Sequence, residues 1–367
     1  MSPPPSPTLL LKKGGTYTVK GNNRQPQPRF WYAPGSFNSQ KGHLALRCSS
    51  IDYSSIDFRL VEFPEEIQSL EFARLCNPNM SVPVLEIDDK IITDSLDITR
   101  YLSANYPSKG DTKASNSSKS LVIDTFIAAT LKWDEYLFSY RRLPTFLGIA
   151  VHNIRLVCLS DAIIKATSQE IDTETLLDGR TLRRAYVEKI AQVRSLIKFG
   201  RTDDEESSLQ QPELLARRIS SNDQRLDDIF SLASSMLTDN NNNNNKNDNT
   251  ELLLMGDNIS SADIYLAVIV SRISMLDGPL MEELFEKYPI TRKWWTHFKS
   301  LPEAVVLFGD NDKKSNITAL IKSGKPWKFL GYALGCYKPK PLPDDIERDV
   351  QAEYNKINDD YLATAAT

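Results

Sequence analysis

The spacing of apolar residues divides the chain into two parts. Between residues 29 and 106, short apolar runs typical of strands alternate with segments in which apolar residues recur at helical spacing. The predicted order is β-α-β-α-β-β-α, with the elements in "RFWY", "SFNSQKGHLALRCSS", "IDFRLVEF", "EEIQSLEFARLC", "VPVLEI", "KIITD" and "SLDITRYLSANY". Asp88 and Asp89 form the turn between the last two strands. This pattern predicts an α/β domain over residues 28–107.

Beyond residues 108–119, which have the composition of a linker, the strand pattern disappears. Segments from 120 to 308 show helical spacing, so we predict an all-helical domain over residues 120–312 with an insert near 160–220. The segment 181–199 carries an apolar stripe and a basic face, which we interpret as solvent-exposed rather than membrane-bound. The stripe consists of Leu182, Tyr186, Ile190, Val193 and Ile197.

Three segments lack a folding pattern. Residues 1–27 are rich in Pro, Gly, Asn and Gln, and we predict that they are disordered. The Asn-rich segment 238–250 has low complexity and is predicted to be a disordered loop between helices. Residues 313–367 form a C-terminal tail that begins with Lys, Pro and aromatic residues.

Composition narrows the function classes. Lys and Arg number 44 against 48 Asp and Glu, so nothing points to a nucleic-acid partner. The four cysteines and three histidines have no metal-ligand spacing, so we expect no metal, and free thiols fit a reducing compartment. No apolar run reaches the roughly 18 residues of a transmembrane segment, and the leading "LLL" is too short for a secretory signal. We therefore expect a cytoplasmic protein.

The stretch "NPNMSVPVLEIDDKIITDS" carries the candidate binding chemistry. Pro83 has no N–H and cannot lie within a central strand, and a cis Val82–Pro83 bond would leave the Val82 backbone open to an extended ligand. Asp94 and Ser95 follow at a helix start, where the free N–H groups attract a carboxylate and Asp94 can bind an amine. The combination predicts a peptide-like ligand. In the alternative interpretation, Ser95 only caps a helix and Pro83 only shapes a turn.

These residues resemble a known family. The segments "NPNMSVPVL", "DS" and "ITRYL" resemble the thioredoxin-like N-terminal domain of cytosolic glutathione transferases. The resemblance implies that Val82, Pro83, Asp94 and Ser95 bind glutathione, with the acid-Ser pair at its γ-glutamyl end. The family more often has Glu where Asp94 stands. A homodimer is expected from the resemblance alone.

The segment "ISSADIYLA" resembles the start of the central helix in the family's second domain. Ser260 and Asp263 have the spacing of a capping box, and Ile259 and Ile264 occupy the positions of a hydrophobic staple. The resemblance covers residues 29–106 and 251–308. It implies a thioredoxin-like α/β domain (βαβαββα) followed by an all-α helical bundle.

Three features indicate a subgroup of this family: the segment "SFNSQK", the insert and the segment "GDNISSADIYLAV". They resemble the ganglioside-induced differentiation-associated protein 1 group and the plant tetrachlorohydroquinone-dehalogenase-like transferases. The first of these groups ends in a membrane anchor, which is not visible here. Gly42 and His43 replace the usual apolar-basic pair of the first helix, and the glycine is predicted to weaken that helix by up to about 1 kcal/mol.

The candidate catalytic residue is Ser36. The family places it in the turn before the first helix, and the Ser-type members have it five residues before a basic residue, here Lys41. A hydroxyl at Ser36 could donate a hydrogen bond to the glutathione sulfur and favour the thiolate. Ser39 is the second candidate and is also the predicted N-cap. Ser36 as a simple turn residue stays open.

Two function classes follow from the resemblance. In the first, the protein is a glutathione transferase that uses glutathione as co-substrate and conjugates its thiolate to small electrophiles. In the second, it is a non-catalytic, transferase-like binding or scaffold protein whose insert and tail make the contacts. No cysteine lies in the turn before the first helix, which argues against the Cys-type members.

Overall fold

The computed structural model describes residues 16–18, 27–33, 35–107, 117–142, 145–200, 212–243, 252–256, 258–308 and 337–365. Three predicted segments lie wholly or largely outside these residues: most of 1–27, most of the linker 108–119 and the first part of the tail. No helix in the described ranges is long and apolar enough to cross a membrane. The same ranges contain no group of His, Cys, Asp or Glu side chains arranged to hold a metal.

The first domain is a five-stranded sheet with helices on both faces. The strand order is β1-β5-β4-β2-β3, in which β2 and β3 are parallel and the other neighbours antiparallel. The fold class is the predicted thioredoxin-like one, with one additional strand. The elements are β1 (Thr16–Thr18), β2 (Arg29–Tyr32), α1 (Phe37–Cys48), β3 (Asp57–Leu60), α2 (Leu70–Leu75), β4 (Val84–Ile87), β5 (Lys90–Ile92) and α3 (Ser95–Asn105).

Two details of this domain differ from the prediction. Residues 16–18, predicted to be disordered, form β1 and pair with β5, since an edge strand offers unpaired backbone groups to any extended neighbour. Helix α2 begins only at Leu70, because Ser69 caps it by accepting a hydrogen bond from the Phe72 N–H (3.1 Å). Leu75, the last residue of this helix, is 53% exposed.

Alternating side chains of the strands pack into two separate hydrophobic cores on the two faces of the sheet. Phe30, Leu85 and Ile92 belong to the large core shared with the helical domain. Val84 and Ile91 point to the opposite face and pack with the region around α2. The sheet therefore connects the helical bundle on one side with α2 on the other.

Gly42 permits a close approach of α1 to the sheet. A Cβ atom at this position would lie 3.0 Å from Phe30 Cζ and 3.3 Å from Pro83 Cγ. The predicted cost of glycine within a helix thus has a packing reason that the sequence did not reveal. The adjacent His43 stacks on Tyr53 within an aromatic cluster.

The second domain is helical. Its helices are α4 (Ser117–Thr130), α5 (Glu135–Arg142), α6 (Thr145–Ser168), α7 (Leu182–Gly200), α8 (Pro212–Asn243), α9 (Ser261–Leu276), α10 (Gly278–Lys287), α11 (Pro289–Ser300) and α12 (Pro302–Phe308). Helix α9 is the central element, because its side chains are buried along most of its length. Among the described residues of this domain, strand-like pairing is limited to the isolated bridge Thr175–Thr181. Helix α8 continues to Asn243, so the first residues of the predicted Asn-rich loop are helical, and 244–250 lie outside the description.

The predicted capping box of α9 is confirmed. Ser260 Oγ accepts from the Asp263 N–H (3.3 Å), and Asp263 Oδ2 accepts from the Ser260 N–H (2.9 Å). Asp263 also accepts from the Leu254 N–H (2.9 Å) and from Trp294 Nε1 (3.0 Å), and its side chain is fully buried. The box therefore joins three parts of the bundle rather than one helix end.

The predicted tail contains a docked helix, α13 (Asp344–Ala365), that packs along α7. Ile346 and Val350 share an apolar core with Ile190 and Val193. The basic face of α7 is therefore partly exposed to solvent, as predicted, and partly covered by α13, which the sequence pattern did not indicate. Its arginines form ion pairs with acids of α13: Arg183 with Asp345 and Asp349, Arg184 with Glu353, and Arg194 with Glu347.

The insert and α13 form a second helical cluster beside the α/β domain. The core of α6, α7 and α13 also contains Ala73 of α2 and Met80 of the loop that follows it. This cluster covers α2 on the side of the sheet opposite the main bundle. The insert consequently lies next to the loop that carries Val82 and Pro83.

Candidate functional site

The N-terminal ends of α1 and α3 meet at Asn38. Its side-chain Oδ1 accepts from Ser95 Oγ (3.4 Å) and from Lys41 Nζ (3.2 Å). Both helices thus direct the unpaired N–H groups of their first turns, and the positive ends of their dipoles, toward one region. Such a region is suited to a ligand with negative charges. The sequence reasoning did not identify Asn38, whose only signal was its place in the first turn of a predicted helix.

Ser36 is the N-cap of α1. It has extended backbone angles, and its Oγ accepts from the Ser39 N–H (3.2 Å). A hydroxyl can donate one hydrogen bond as well as accept, and no acceptor for the Ser36 proton lies among the described residues. Neighbouring Gly35 is exposed, with no atom within 4 Å of a Cβ built on it. The hydroxyl can therefore donate to a ligand that occupies this open turn.

The prediction that Ser39 caps the helix is wrong, because the helix begins three residues earlier than assumed. Ser39 is 2% exposed, and its Oγ accepts from the Ala33 N–H (3.3 Å). Its side chain points into the protein and fastens the end of β2 to α1. This geometry favours a structural role for Ser39.

The Val82 backbone lies beyond the sheet ladder. The register between β2 and β4 ends at Trp31 and Val84, and the Val82–Pro83 bond is cis, as predicted. The loop before it is held by buried Asn77, which donates to the Ser81 carbonyl (2.7 Å) and accepts from the Asn79 N–H (2.9 Å). Asn77 belongs to the segment that resembles the family, and in the structure it braces this loop.

Asp94, rather than Ser95, is the N-cap of α3. Asp94 Oδ1 accepts from the Leu96 N–H (2.8 Å), and Ser95 is the first helical residue. Asp94 itself is half-buried. Ser95 is 5% exposed and gives its hydroxyl proton to Asn38, so a ligand carboxylate would be met by first-turn N–H groups.

Lys41 is a buried cation beneath this region. It is 5% exposed, and its Nζ lies 4.2 Å from the centre of the Phe37 ring and 4.4 Å from that of Tyr265. Burial lowers the pKa of Lys41 from 10.5 to about 8, although the charges of Asp94 and Glu135 oppose this change. The sequence reasoning used Lys41 only to locate Ser36.

We expect Lys41 to make stability depend on pH above about 8. Between pH 8 and 10.5 the unfolded chain holds a proton on Lys41 that the folded chain has released, so the free energy of unfolding rises with pH there. The rise is at most about 3 kcal/mol, and it should be absent in Lys41→Met. Urea unfolding across this pH range measures it. Lys165→Met, at an exposed position of α6, should behave like wild type, and identical profiles for Lys41→Met and wild type would contradict the prediction.

The helical domain contacts the turn that holds Ser36. Arg272 of α9 donates to the Gly35 carbonyl (3.1 Å) and forms an ion pair with Glu135 of α5 (3.2 Å). Its guanidinium also lies near the Phe37 ring. The position of the turn therefore depends on both domains, a relation that single-sequence patterns do not contain.

Two models of known protein families match parts of this chain. The model of the glutathione S-transferase N-terminal domain matches residues 31–110, and that of the glutathione S-transferase C-terminal domain matches residues 242–302. The chain is thus similar to both domains of a glutathione S-transferase. The first match contains Ser36, Val82, Pro83, Asp94 and Ser95. The two matches leave residues 111–241 between them, so the whole insert near 160–220 lies outside both.

Individual proteins are also similar to this chain. The protein named glutathione S-transferase TCHQD from Arabidopsis thaliana is 23% identical over 77% of this chain and 89% of its own length. A delta-class glutathione transferase from Nilaparvata lugens aligns with a TM-score of 0.43 and 14% identity, over 74% of this chain and 88% of its own. Beta-etherase LigF from Sphingobium sp. strain SYK-6 aligns with a TM-score of 0.47 and 17% identity, over 77% and 98%.

Proposed function

We propose that the protein binds glutathione at the N-terminal ends of α1 and α3 and conjugates its thiolate to small electrophiles. The observation that carries the proposal is the bridge of Asn38 between the two helices. This bridge connects the first turn of α1 with Ser95 of α3 and so supports one shared site for the Ser36 turn and the Asp94-Ser95 pair. A single peptide-like ligand can then contact both.

Each end of glutathione has a suitable set of groups in this arrangement. The Asp94 carboxylate accepts from the γ-glutamyl amine, and the first-turn N–H groups of α3 donate to the γ-glutamyl carboxylate. The Val82 backbone, which lies outside the ladder, pairs with the cysteinyl part. This binding brings the cysteinyl sulfur toward Ser36.

In the proposed reaction, Ser36 Oγ donates its proton in a hydrogen bond to the sulfur. This bond, together with the N-terminal end of α1, stabilises the thiolate relative to the thiol, and the thiol proton passes to solvent. The thiolate then forms a carbon–sulfur bond with the electrophile, while a leaving group departs with its electron pair. Ser36 thus acts on the nucleophile without forming a covalent intermediate.

We predict that Asp94→Asn weakens glutathione binding by about tenfold or more, because a charge-assisted hydrogen bond contributes roughly 1.5–3 kcal/mol. Asparagine is as good an N-cap as aspartate, so the stability of α3 should change little. Isothermal titration calorimetry measures the affinity, and thermal unfolding checks the fold.

The matched control is Asp97→Asn, which removes a carboxylate from the first turn of the same helix. It should leave glutathione affinity within about twofold of wild type, since it tests only the general charge at the helix end. Equal losses in the two variants would show that Asp94 acts through general electrostatics. An unchanged affinity in Asp94→Asn would remove it from the site.

A second candidate function is non-catalytic binding or scaffolding. The observation in its favour is the separate helical cluster of α6, α7 and α13, which lies largely outside the matched family domains. Retention on immobilised glutathione followed by a turnover assay separates the two functions. Retention without turnover supports the scaffold, and turnover supports the transferase. A cytoplasmic location and a homodimer stay predictions.

A further inference from the structure

A turn of the insert contacts the loop of residues 77–82, here called the Val82 loop. The turn, residues 174–182, is called the insert turn, and it closes on itself because the Leu176 N–H donates to the Arg180 carbonyl (2.8 Å). Gly179 within it has a φ of 79°, in the left-handed region that favours glycine. The shape of the insert turn is therefore set by its own backbone.

Two consecutive leucines of the insert turn belong to different apolar cores, and each core contains one residue of the Val82 loop. Leu176 is 5% exposed and shares its core with Met80. Leu177 is half-buried and packs against the core that contains Val82. Apolar packing thus ties the loop to the insert through both cores.

Arg180 adds a direct hydrogen bond between the insert turn and the loop. Its Nη2 donates to Asn79 Oδ1 (2.6 Å), and its side chain is only 10% exposed. The other two nitrogens of the guanidinium are held by carboxylates, Nε by Asp178 and Nη1 by Glu188. Because the acids fix the planar group, Arg180 presents its third nitrogen to the loop at a defined place.

The backbone of the Val82 loop is strained at Met80. This residue has a φ of 48°, in the left-handed region that residues with a side chain disfavour. Strained backbone persists where the surrounding structure holds it. Asn77 braces the loop from within, and the insert holds it from outside through Arg180 and the two leucines.

We propose that the insert holds the Val82 loop in the conformation that binds glutathione, with Arg180 as the positioning residue. The inference rests on the proposed function, in which the Val82 backbone pairs with the cysteinyl part of glutathione. A loop that leaves this conformation lowers the affinity in proportion to the fraction of molecules that lose it. A segment outside both matched family domains therefore controls how tightly the site binds.

The first test removes the hydrogen bond from either side. Asn79→Ala should weaken glutathione binding by about tenfold, as expected if about one molecule in ten keeps the binding conformation. Arg180→Lys keeps the charge beside Asp178 and Glu188 but lacks the planar fork, so it should lose the same factor. Isothermal titration calorimetry measures both. The double variant should lose no more than either single variant, and a loss equal to the product of the two factors would contradict the inference.

The matched control is Arg74→Met. Arg74 of α2 pairs with Glu174 of the same insert turn (2.8 Å), so this variant removes a contact between the insert and the α/β domain that does not involve the Val82 loop. It should leave glutathione affinity within about twofold of wild type, and thermal unfolding checks that each variant is folded. An equal loss in Arg74→Met would show that any loosening of the insert has this effect, and would remove the positioning role of Arg180.

Kinetics distinguish positioning from a general loss of structure. In Arg180→Lys the KM for glutathione should rise, whereas kcat and the pKa of the bound thiol should stay at the wild-type values, because the Ser36 turn is unchanged. Hydrogen exchange measures the loop without a ligand, and amides 79–82 should exchange faster in Arg180→Lys than in wild type. By linkage, bound glutathione should slow exchange in the insert turn of the wild type.

The outcomes separate this inference from the proposed function. If the wild type binds glutathione and Asn79→Ala and Arg180→Lys bind it equally well, the inference is overturned and the proposed site stands. If the wild type does not bind glutathione, the proposed function fails. In that case faster loop exchange in Arg180→Lys still supports the hold of the insert on the loop, and unchanged exchange overturns it.

Discussion

Replacing Ser36 by alanine should lower the conjugation rate near neutral pH by roughly ten- to a hundredfold, because a hydrogen bond to a charged group contributes roughly 1.5–3 kcal/mol. The pKa of the bound glutathione thiol should rise at the same time, since the thiolate loses its donor. Glutathione affinity should change little, because the two ends of the molecule are held elsewhere in the proposed site. The thiolate absorbance of the complex, followed against pH, measures the thiol pKa directly.

Ser36 is also the N-cap of α1, so its replacement changes stability as well as the proposed catalytic contact, and a second variant is needed to separate the two effects. Alanine removes the acceptor for the Ser39 N–H and should also cost about 1 kcal/mol of stability. Glycine is a better N-cap and should cost only a few tenths of a kcal/mol, yet it lacks the hydroxyl as well. If the hydroxyl acts on the sulfur, the conjugation rate should fall by the same factor in Ser36→Gly and Ser36→Ala, although the two variants differ in stability.

Ser39→Ala provides the opposite comparison. It removes the inward contact with the Ala33 N–H and should lower stability without moving the thiol pKa. Loss of rate in Ser39→Ala with a normal rate in Ser36→Ala would transfer the catalytic role to Ser39. A wild type that binds glutathione but leaves its thiol pKa unchanged would support the scaffold function.

Asp263→Ala should produce the largest loss of stability, about 3–5 kcal/mol, because it leaves several buried donors without an acceptor. A capping box by itself contributes only about 1 kcal/mol. The structure raises the expectation, since the Leu254 N–H and Trp294 Nε1 also donate to this carboxylate. Urea unfolding with linear extrapolation measures the difference.

Two further variants separate the cap from the buried network. Ser260→Ala should cost only about 1 kcal/mol, and the double variant should show coupling because the two hydrogen bonds are reciprocal. Asp263→Asn keeps the shape but replaces one acceptor oxygen with a donor, so its cost should fall between those of the two alanine variants. If Asp263→Ala costs no more than Ser260→Ala, the buried donors have found other partners.

The fold was predictable where one local pattern determined each element. Strand alternation and helical spacing gave the βαβαββα order, and the capping box of Ser260 and Asp263 was visible as a short motif. The start of α1 was misplaced because two serines three residues apart both satisfy the rule for an N-cap. Only the backbone angles and the bond from the Ser39 N–H distinguish them.

Relations between distant segments were not predictable from spacing. The role of Gly42 depends on the approach of Phe30 and Pro83, and Asn38 joins α1 to α3 only after both helices have packed. The acids of α13 match the arginines of α7, but a helical pattern does not specify its partner. The residue types of the candidate site could be proposed from the sequence, but the contacts that connect them could not.

The pairing of α7 with α13 also sets an order for folding during synthesis. The ribosome must translate residues 201–343 after it has completed α7 and before the first residue of α13 is made. Through this interval Ile190 and Val193 lack the apolar side of α13, and the arginines of α7 lack its acids. The nascent α/β domain can complete its sheet early, whereas the insert beside it stays half-covered until α13 emerges.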